Sequence, residues 1–342
     1  MKSLAISLVA LCFVSINLPA QTATSSGQVI AEIGTQKITA ADLEQDKSGT
    51  LLQARFQYYM NQRKALDELI DDQLITAEAR KQNISVDQLL TQVVYKTVKD
   101  PTEDQLQVYY EGLDTQQPYE AVRSQVLEHI RSLRRAKARA SYVADLRKKA
   151  DITVLLMPPV ADVNISNTYI DGSSDAQVML VEFADYECPY CQKVSPQLKQ
   201  LKKEYGSKLA IAYKDMPLPM HQHSEKAAEA ARCAGEQGKF WEYHDALYSD
   251  KALTVTELKE HARSLQLNGE QFDQCLDSNK MAAAVKKDLE EGNRLGLTGT
   301  PSFFVNDHFF SGALDYAALK QMVEQQLAVN MRNTPQTTLS KR

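Results

Sequence analysis

Two hydrophobic rhythms divide the chain near residue 155. From Leu51 to about Ala150 the spacing is helical. Leu66, Leu69, Ile70, Leu74 and Ala77 predict one apolar face, with Asp67, Glu68, Asp71 and Asp72 on the opposite side. Ahead of it, Val29–Ile33 and Gln36–Ile38 flank Gly34-Thr35 and predict a short hairpin. Thr39 followed by Asp42 predicts a helix N-cap, and Ser85-Val86-Asp87-Gln88 and Thr102-Glu103-Asp104-Gln105 are capping-box patterns. Met157-Pro158-Pro159 breaks the helical pattern. Beyond it, apolar runs at Val178–Ala184 and Leu209–Tyr213 predict strands, with a helix from Cys188 to about Tyr205 between them. A long helical stretch from about Ser224 to Leu295, broken near Gly235, Gly238 and Gly269, precedes a predicted hairpin. Its strands are Ser302–Val305 and His308–Phe310, joined by Asn306-Asp307; a last helix follows from about Asp315 to Leu327. The expected organisation is an export segment (1–23), a mainly α-helical domain (28–152), a linker (153–165), an α/β domain with a helical insertion (166–330) and a polar tail (331–342).

Composition narrows the class. The chain has 342 residues, 43% hydrophobic and 24% charged, as an ordinary globular protein does. A net charge of −5 lacks the basic footprint of a nucleic-acid binder. The basic run Arg131-Ser132-Leu133-Arg134-Arg135-Ala136-Lys137 falls on a predicted helix and reads as a solvated face, with an acidic partner as the alternative. At the N-terminus, Lys2, the apolar core Leu4–Ile16 and a cleavage site at Ala20 or Ala23 form a secretory signal pattern. The apolar stretch is short for a spanning helix. Export would place the thiols where disulfides persist.

Cys188-Pro189-Tyr190-Cys191 ends the Val178–Ala184 run and opens a helix. At a helix N-terminus, unpaired N–H groups and the helix dipole favour a thiolate, the attacking species in disulfide exchange. One Cys-x-x-Cys is also half of a zinc site, but Cys233, Cys275 and the pair His221/His223 form no second unit of ligand spacing. The redox reading is preferred. Without the export segment, Cys12 is lost and four cysteines remain. Cys233 and Cys275 then read as a structural disulfide or as two buried thiols. Strand–helix–strand, insertion, hairpin and helix around such a dithiol is a thioredoxin-like α/β arrangement.

Three separated motifs resemble the DsbA-like branch of the thioredoxin superfamily, as found in exported bacterial proteins. They are Phe183-Ala184-Asp185-Tyr186-Glu187-Cys188-Pro189-Tyr190-Cys191, Gly299-Thr300-Pro301-Ser302-Phe303 as the cis-proline loop, and Ala230–Ala234 with Gly238–Glu242 in the insertion. The resemblance implies Cys188 as an exposed nucleophile and Cys191 as the resolving thiol. It implies a cis bond at Pro301 that leaves the Thr300 backbone free to pair with an extended substrate. Glu182 matches the family's buried acid, a proton relay for Cys191; a surface glutamate is the alternative. Tyr186, Pro189 and Tyr190 are expected to contact substrate, with Phe240 and Trp241 either joining that rim or packing in the core. His221 and His223 follow Pro217 and Pro219 in what reads as a surface loop. No cofactor beyond the dithiol is implied. The chain departs from the best-known oxidases in carrying Tyr190 instead of His, and Thr300 instead of Val. Both positions tune the potential and leave the direction of electron flow open.

Residues 28–152 resemble the N-terminal helical segment of SurA-type prolyl isomerases, on Val29–Gly34 with Ile38-Thr39, Ala77-Glu78-Ala79-Arg80 and Ile84-Ser85. No parvulin catalytic domain follows, so isomerisation of proline bonds is not implied. The expected function is a periplasmic thiol:disulfide oxidoreductase acting as an oxidase on folding secreted proteins. An oligomeric isomerase or reductase, or a holdase chaperone with a secondary dithiol, are the alternatives. A membrane redox partner of DsbB or DsbD type and self-association through the first domain complete the expectation.

Overall fold

A computed structural model describes residues 26–249, 252–312 and 314–333. The export segment expected at 1–23 lies outside them, as does the tail from residue 334.

The first domain opens with an antiparallel ribbon, β1 (Val29–Ile33) and β2 (Gln36–Thr39), turned at Gly34, whose φ of +61° favours glycine. Thr39 caps α1 (Ala40–Asp46). Its hydroxyl accepts the Asp42 N–H at 3.2 Å and the Asp42 carboxylate accepts the Thr39 N–H at 2.7 Å. The helices α2 (Ser48–Lys81), α3 (Val86–Leu89), α4 (Glu103–Glu111) and α5 (Tyr119–Lys149) follow, and both predicted capping boxes form, at Ser85/Gln88 and Thr102/Gln105.

The apolar face predicted for α2 is displaced. Leu69 is 55% exposed, and the buried seam is Ile75 and Ala79 against Leu89 and Val143. The acidic side is no solvent face either: Asp67 and Asp71 pair with Arg147, and Asp72 with Arg139, all on α5. Two long helices in contact bury only a narrow seam, so ion pairs at its margin displace the rest of the apolar spacing outward. The basic run on α5 likewise turns inward on its own domain. Arg131 pairs with Asp100 at 2.7 Å, and Arg134 donates to the Lys99 carbonyl at 2.7 Å.

The second domain is a five-stranded sheet in the order β3 (Tyr169–Asp171), β5 (Leu209–Asp215), β4 (Val178–Ala184), β6 (Ser302–Val305), β7 (His308–Ser311). β4 is central, parallel to β5 and antiparallel to β6. Helices on both faces leave its residues buried almost throughout, hence its continuous apolar run. α6 (Pro189–Tyr205) connects β4 to β5. Between β5 and β6 lie α7 (Ser224–Glu236), α8 (Phe240–Ser249), α9 (Val255–Ser264), α10 (Gly269–Asp277) and α11 (Ala282–Arg294), and α12 (Tyr316–Asn333) closes the domain. Asn306 and Asp307 make the β6–β7 turn in left-handed conformation. The short edge strand β3 was absent from the sequence reading.

A buried ionic cluster ties the insertion to the sheet. Lys214 on β5 pairs with Asp288 at 2.9 Å and with Glu291, and Arg232 on α7 bridges Asp215 and Asp288. Burial raises the Asp215 carboxyl to about 6 against the pull of Arg232. The segment expected as a linker is held down: Ala161 donates to Asp307, Phe309 to Pro159, and the Gln325 amide to the Val154 and Leu156 carbonyls. The start of α2 docks on this domain. Phe56 meets Phe309 edge-on at 4.8 Å, and a Cβ on Gly49 would stand 2.5 Å from the Gly296 nitrogen.

Cys233 and Cys275 form a disulfide between α7 and α10, 42 residues apart in sequence. Closing that loop stabilises by about 4 kcal/mol in the chain-entropy model, with measured cases nearer 2–4 kcal/mol. Replacing both cysteines by alanine is therefore expected to lower unfolding free energy by about 2–4 kcal/mol in urea titration. An unchanged midpoint contradicts a stabilising role.

Candidate active site

Cys188 is the N-cap of α6, with extended backbone (φ −72°, ψ 119°) and Pro189 in the first turn. Cys188 and Cys191 are both free thiols, three residues apart, yet their surroundings drive them in opposite directions. The Cys188 thiol is held down at about 5. The largest cause is a hydrogen bond from Cys191, partly opposed by burial and reinforced by Thr300 and the backbone N–H groups of Cys191 and Tyr190. Cys191 is fully buried, and burial first, then its bond to Cys188, raises its thiol strongly. One thiol is poised to be ionised and the other to keep its proton.

The loop after α11 closes over this pair. The Thr300–Pro301 bond is cis, and the Thr300 carbonyl lies 3.4 Å from the Cys188 sulfur. Cys188 is only 3% exposed, contrary to the exposed nucleophile expected. Its sulfur faces the Thr300 loop instead of open solvent. Pro189 and Tyr190 are exposed beside it, Tyr190 by 58%. Tyr186 does not join them. It is buried, stacked on Tyr213 with ring centroids 5.3 Å apart and hydrogen-bonded to His244 Nδ1 at 3.2 Å. Its ring belongs to the aromatic core under the insertion, where Phe240 also lies, stacked on Tyr169 at 3.9 Å. Trp241 packs at the margin of that core.

Glu182 is inside, 2% exposed, in register with Tyr213 on one side and Phe303 on the other. Desolvation raises its carboxyl to about 8, with a smaller push from the Cys188 charge, and its Oε1 has no hydrogen-bond partner. It lines a cavity of about 290 Å³ with Lys199, His244 and Asp245. Once ionised, Glu182 would also raise the Cys191 thiol.

Asp185, named above only as part of the cysteine motif, and His221, read as part of a surface loop, complete the arrangement. The Asp185 carboxylate is buried and accepts the N–H groups of Glu187 (2.8 Å) and Leu218 (2.7 Å) and the His221 ring at 2.8 Å. The signal was present: Asp185 stands three residues before Cys188, and His221 follows a Pro-Leu-Pro turn. Neither pattern alone states that the two loops meet.

Residues 165–325 match the thioredoxin family model, and residues 1–127 match that of the SurA-like N-terminal domain. The second half of this chain is a thioredoxin-family domain. Similar solved structures include a thioredoxin-like oxidoreductase from Silicibacter pomeroyi, 28% identical with a TM-score of 0.44, covering 48% of this chain and 94% of that one. BdbD from Bacillus subtilis is 24% identical with a TM-score of 0.45, covering 50% of this chain and 97% of that one. The catalytic domain of Proteus mirabilis ScsC is 27% identical with a TM-score of 0.41, covering 48% and 93%. Among curated proteins, the Na(+)/H(+) antiporter NhaA 3 of Salinispora tropica is 34% identical over 170 residues, 49% of this chain and 26% of that protein. NhaA of Herminiimonas arsenicoxydans is 34% identical over 178 residues, 52% of this chain and 28% of that protein. The chain thus spans little more than a quarter of the length of these curated relatives.

The buried acid has a measurable signature. Its folded value, about 8, lies above the unfolded value near 4.5, so the native state holds a proton that the unfolded state has lost between those limits. Reduced protein is expected to be most stable below about pH 4.5 with respect to this group, losing up to about 5 kcal/mol as pH rises from about 4.5 to about 8. Glu182→Gln flattens that slope in urea titrations; a parallel slope in the variant contradicts a neutral buried carboxyl.

Proposed function

We propose that this protein is an exported, periplasmic thiol:disulfide oxidoreductase that donates the Cys188–Cys191 disulfide to folding secreted proteins. The observation that carries the reading is the contrast between the two thiols. A Cys188 held near 5 stabilises the reduced, thiolate form relative to the disulfide, which makes the disulfide a good oxidant. A substrate thiolate attacks Cys188 sulfur, forming a mixed disulfide and releasing Cys191 as a thiolate that takes up a proton. A second substrate thiolate attacks the substrate sulfur, forming the product disulfide and expelling Cys188 as a thiolate. Two electrons pass from substrate to enzyme.

Glu182 serves as the proton relay for Cys191. Neutral below about pH 8, it is able to give its proton to the emerging Cys191 thiolate and recover one through the cavity beside Lys199 and Asp245. The Thr300 backbone and Pro301 border the substrate strand, and exposed Pro189 and Tyr190 flank it. Reoxidation falls to a membrane partner of DsbB type; a DsbD-type reductant would instead suit the isomerase direction.

The first domain holds clients or joins copies of the chain. An apolar cavity of about 540 Å³ between α4 and α5, lined by Val108, Tyr109, Ile130 and Leu133, supports a client-holding role.

Disulfide formation in a reduced client and insulin reduction, compared between wild type and Cys188→Ser, test the reading. Loss of at least about 100-fold in both is expected if Cys188 is the nucleophile. Equal activity in the variant contradicts it and leaves holding of unfolded chains as the function.

A further inference from the structure

The dipeptide between the cysteines offers no imidazole, yet an imidazole reaches this site from another loop. His221 lies after β5, and the two loops are stitched together at several points. Asp185 Oδ2 receives both the Leu218 N–H at 2.7 Å and His221 Nδ1 at 2.8 Å, and Oδ1 receives the Glu187 N–H at 2.8 Å. The Asp185 carbonyl accepts the Cys188 N–H at 3.1 Å. From the other side, Glu187 Oε2 accepts the His223 N–H at 2.6 Å. These bonds fix the histidine loop on the cysteine loop. The Asp185 side chain is completely buried, whereas His221 keeps 21% of its side chain exposed and so exchanges protons with solvent.

A carboxylate charge at the cysteine loop would oppose ionisation of Cys188, because like charges raise a thiol. A protonated imidazole on the carboxylate cancels that opposition. We propose that His221 is a charge-tuning, positioning residue for Cys188: its imidazolium, seated on Asp185, favours the Cys188 thiolate and makes the oxidising power of the dithiol depend on pH. The inference rests on Cys188 being the redox nucleophile.

The groups that face His221 set the direction. Asp185, Glu187 and the Cys188 thiolate favour its charged form. Glu225 on α7 and Lys286 on α11 line the same cavity of about 510 Å³ and act in opposite senses. Burial pulls the imidazole down, and the Asp185 bond and charge more than reverse it, leaving it above the ordinary 6.5. By linkage, what the thiolate does for the imidazolium the imidazolium does for the thiolate. When the reduced enzyme passes two electrons to a disulfide, the Cys188 thiolate and Cys191 thiol become a neutral disulfide, while the substrate leaves as one thiolate and one thiol. His221 then loses a negative neighbour and gives up its proton more readily. Protonation of His221 therefore favours the reduced enzyme, so relative to a chain without the imidazole the dithiol becomes more oxidising as pH falls through the titration of His221.

The full chain with His221→Gln keeps an N–H for Asp185 and loses the charge; His221→Lys restores a charge. Thiolate absorbance at 240 nm, with Cys188→Ser as blank, gives the Cys188 titration, and equilibration with glutathione at pH 6 and pH 9 gives the redox equilibrium. In His221→Gln the thiolate-to-thiol ratio is expected to fall about tenfold, and at pH 6 the equilibrium shifts about tenfold toward the disulfide, about 30 mV. The difference closes by pH 9, and His221→Lys recovers wild-type behaviour at pH 6. A Gln variant with unchanged thiolate titration and unchanged equilibrium at both pH values overturns the proposal, whatever its melting temperature. If His221→Gln fails to fold, a Lys variant matching wild type at pH 6 but failing to stay charged-like at pH 9 overturns it equally. Loss of client oxidation with an intact Cys188 titration would count against the proposed function and leave this inference standing.

Discussion

The opposed environments of the Cys188 and Cys191 thiols form the asymmetry on which the site depends. It exists because the two cysteines, separated by only Pro189 and Tyr190, occupy different media. Cys188 caps a helix and meets the free N–H groups of its first turn; Cys191 is one turn deeper and fully buried. Burial makes ionisation of Cys191 costly, so it keeps its proton and has one to donate. The proton shared by the pair therefore resides on Cys191, and the charge on Cys188. Lengthening the loop or exposing Cys191 would remove the asymmetry.

The sheet makes that asymmetry possible. β4 is covered on both faces, so Glu182 beneath the cysteines is desolvated, and the same burial that raises the Cys191 thiol raises the Glu182 carboxyl. The helical insertion supplies one cover, and its position depends on Arg232, Lys214, Asp215 and Asp288, a cluster that is costly to desolvate but specific in its pairing. The Thr300 loop supplies the other. The Asp185 carboxylate joins the cysteine loop to the loop after β5, which brings His221 from a distant part of the sequence onto the cysteine loop.

Local features were legible in the sequence because their causes are local. The hairpin at Gly34, the caps at Thr39, Ser85 and Thr102, β4, and the Asn306-Asp307 turn each arise from a few consecutive residues. Cys188, Cys191 and Pro301 were legible as motifs, whereas the cysteine count left Cys233 and Cys275 either a disulfide or two buried thiols, and they form the disulfide. What escaped depends on partners far along the chain. β3 is three residues long, too short for an alternation, and exists through its register with Ile211–Tyr213. The buried seam of α2 is chosen by α5, about 70 residues later, through Arg147 and Val143. Tyr186, read as a substrate contact, is drawn inward by Tyr213, His244 and Tyr248, none of them adjacent in sequence. The breaks between α8 and α9 and between α10 and α11 were read through as continuous helix. One carries a Thr254–Glu257 capping box and the other a left-handed Asn279, both visible signals.

On the proposed function, the environment of Cys188 makes its disulfide strongly oxidising. The direct measurement is the reduction potential of the Cys188–Cys191 couple in the full chain, by equilibration with glutathione buffers and mass spectrometry of alkylated thiols. A stabilised Cys188 thiolate predicts a value near −120 mV, about that of DsbA. A value near −270 mV, about that of thioredoxin, would contradict the account.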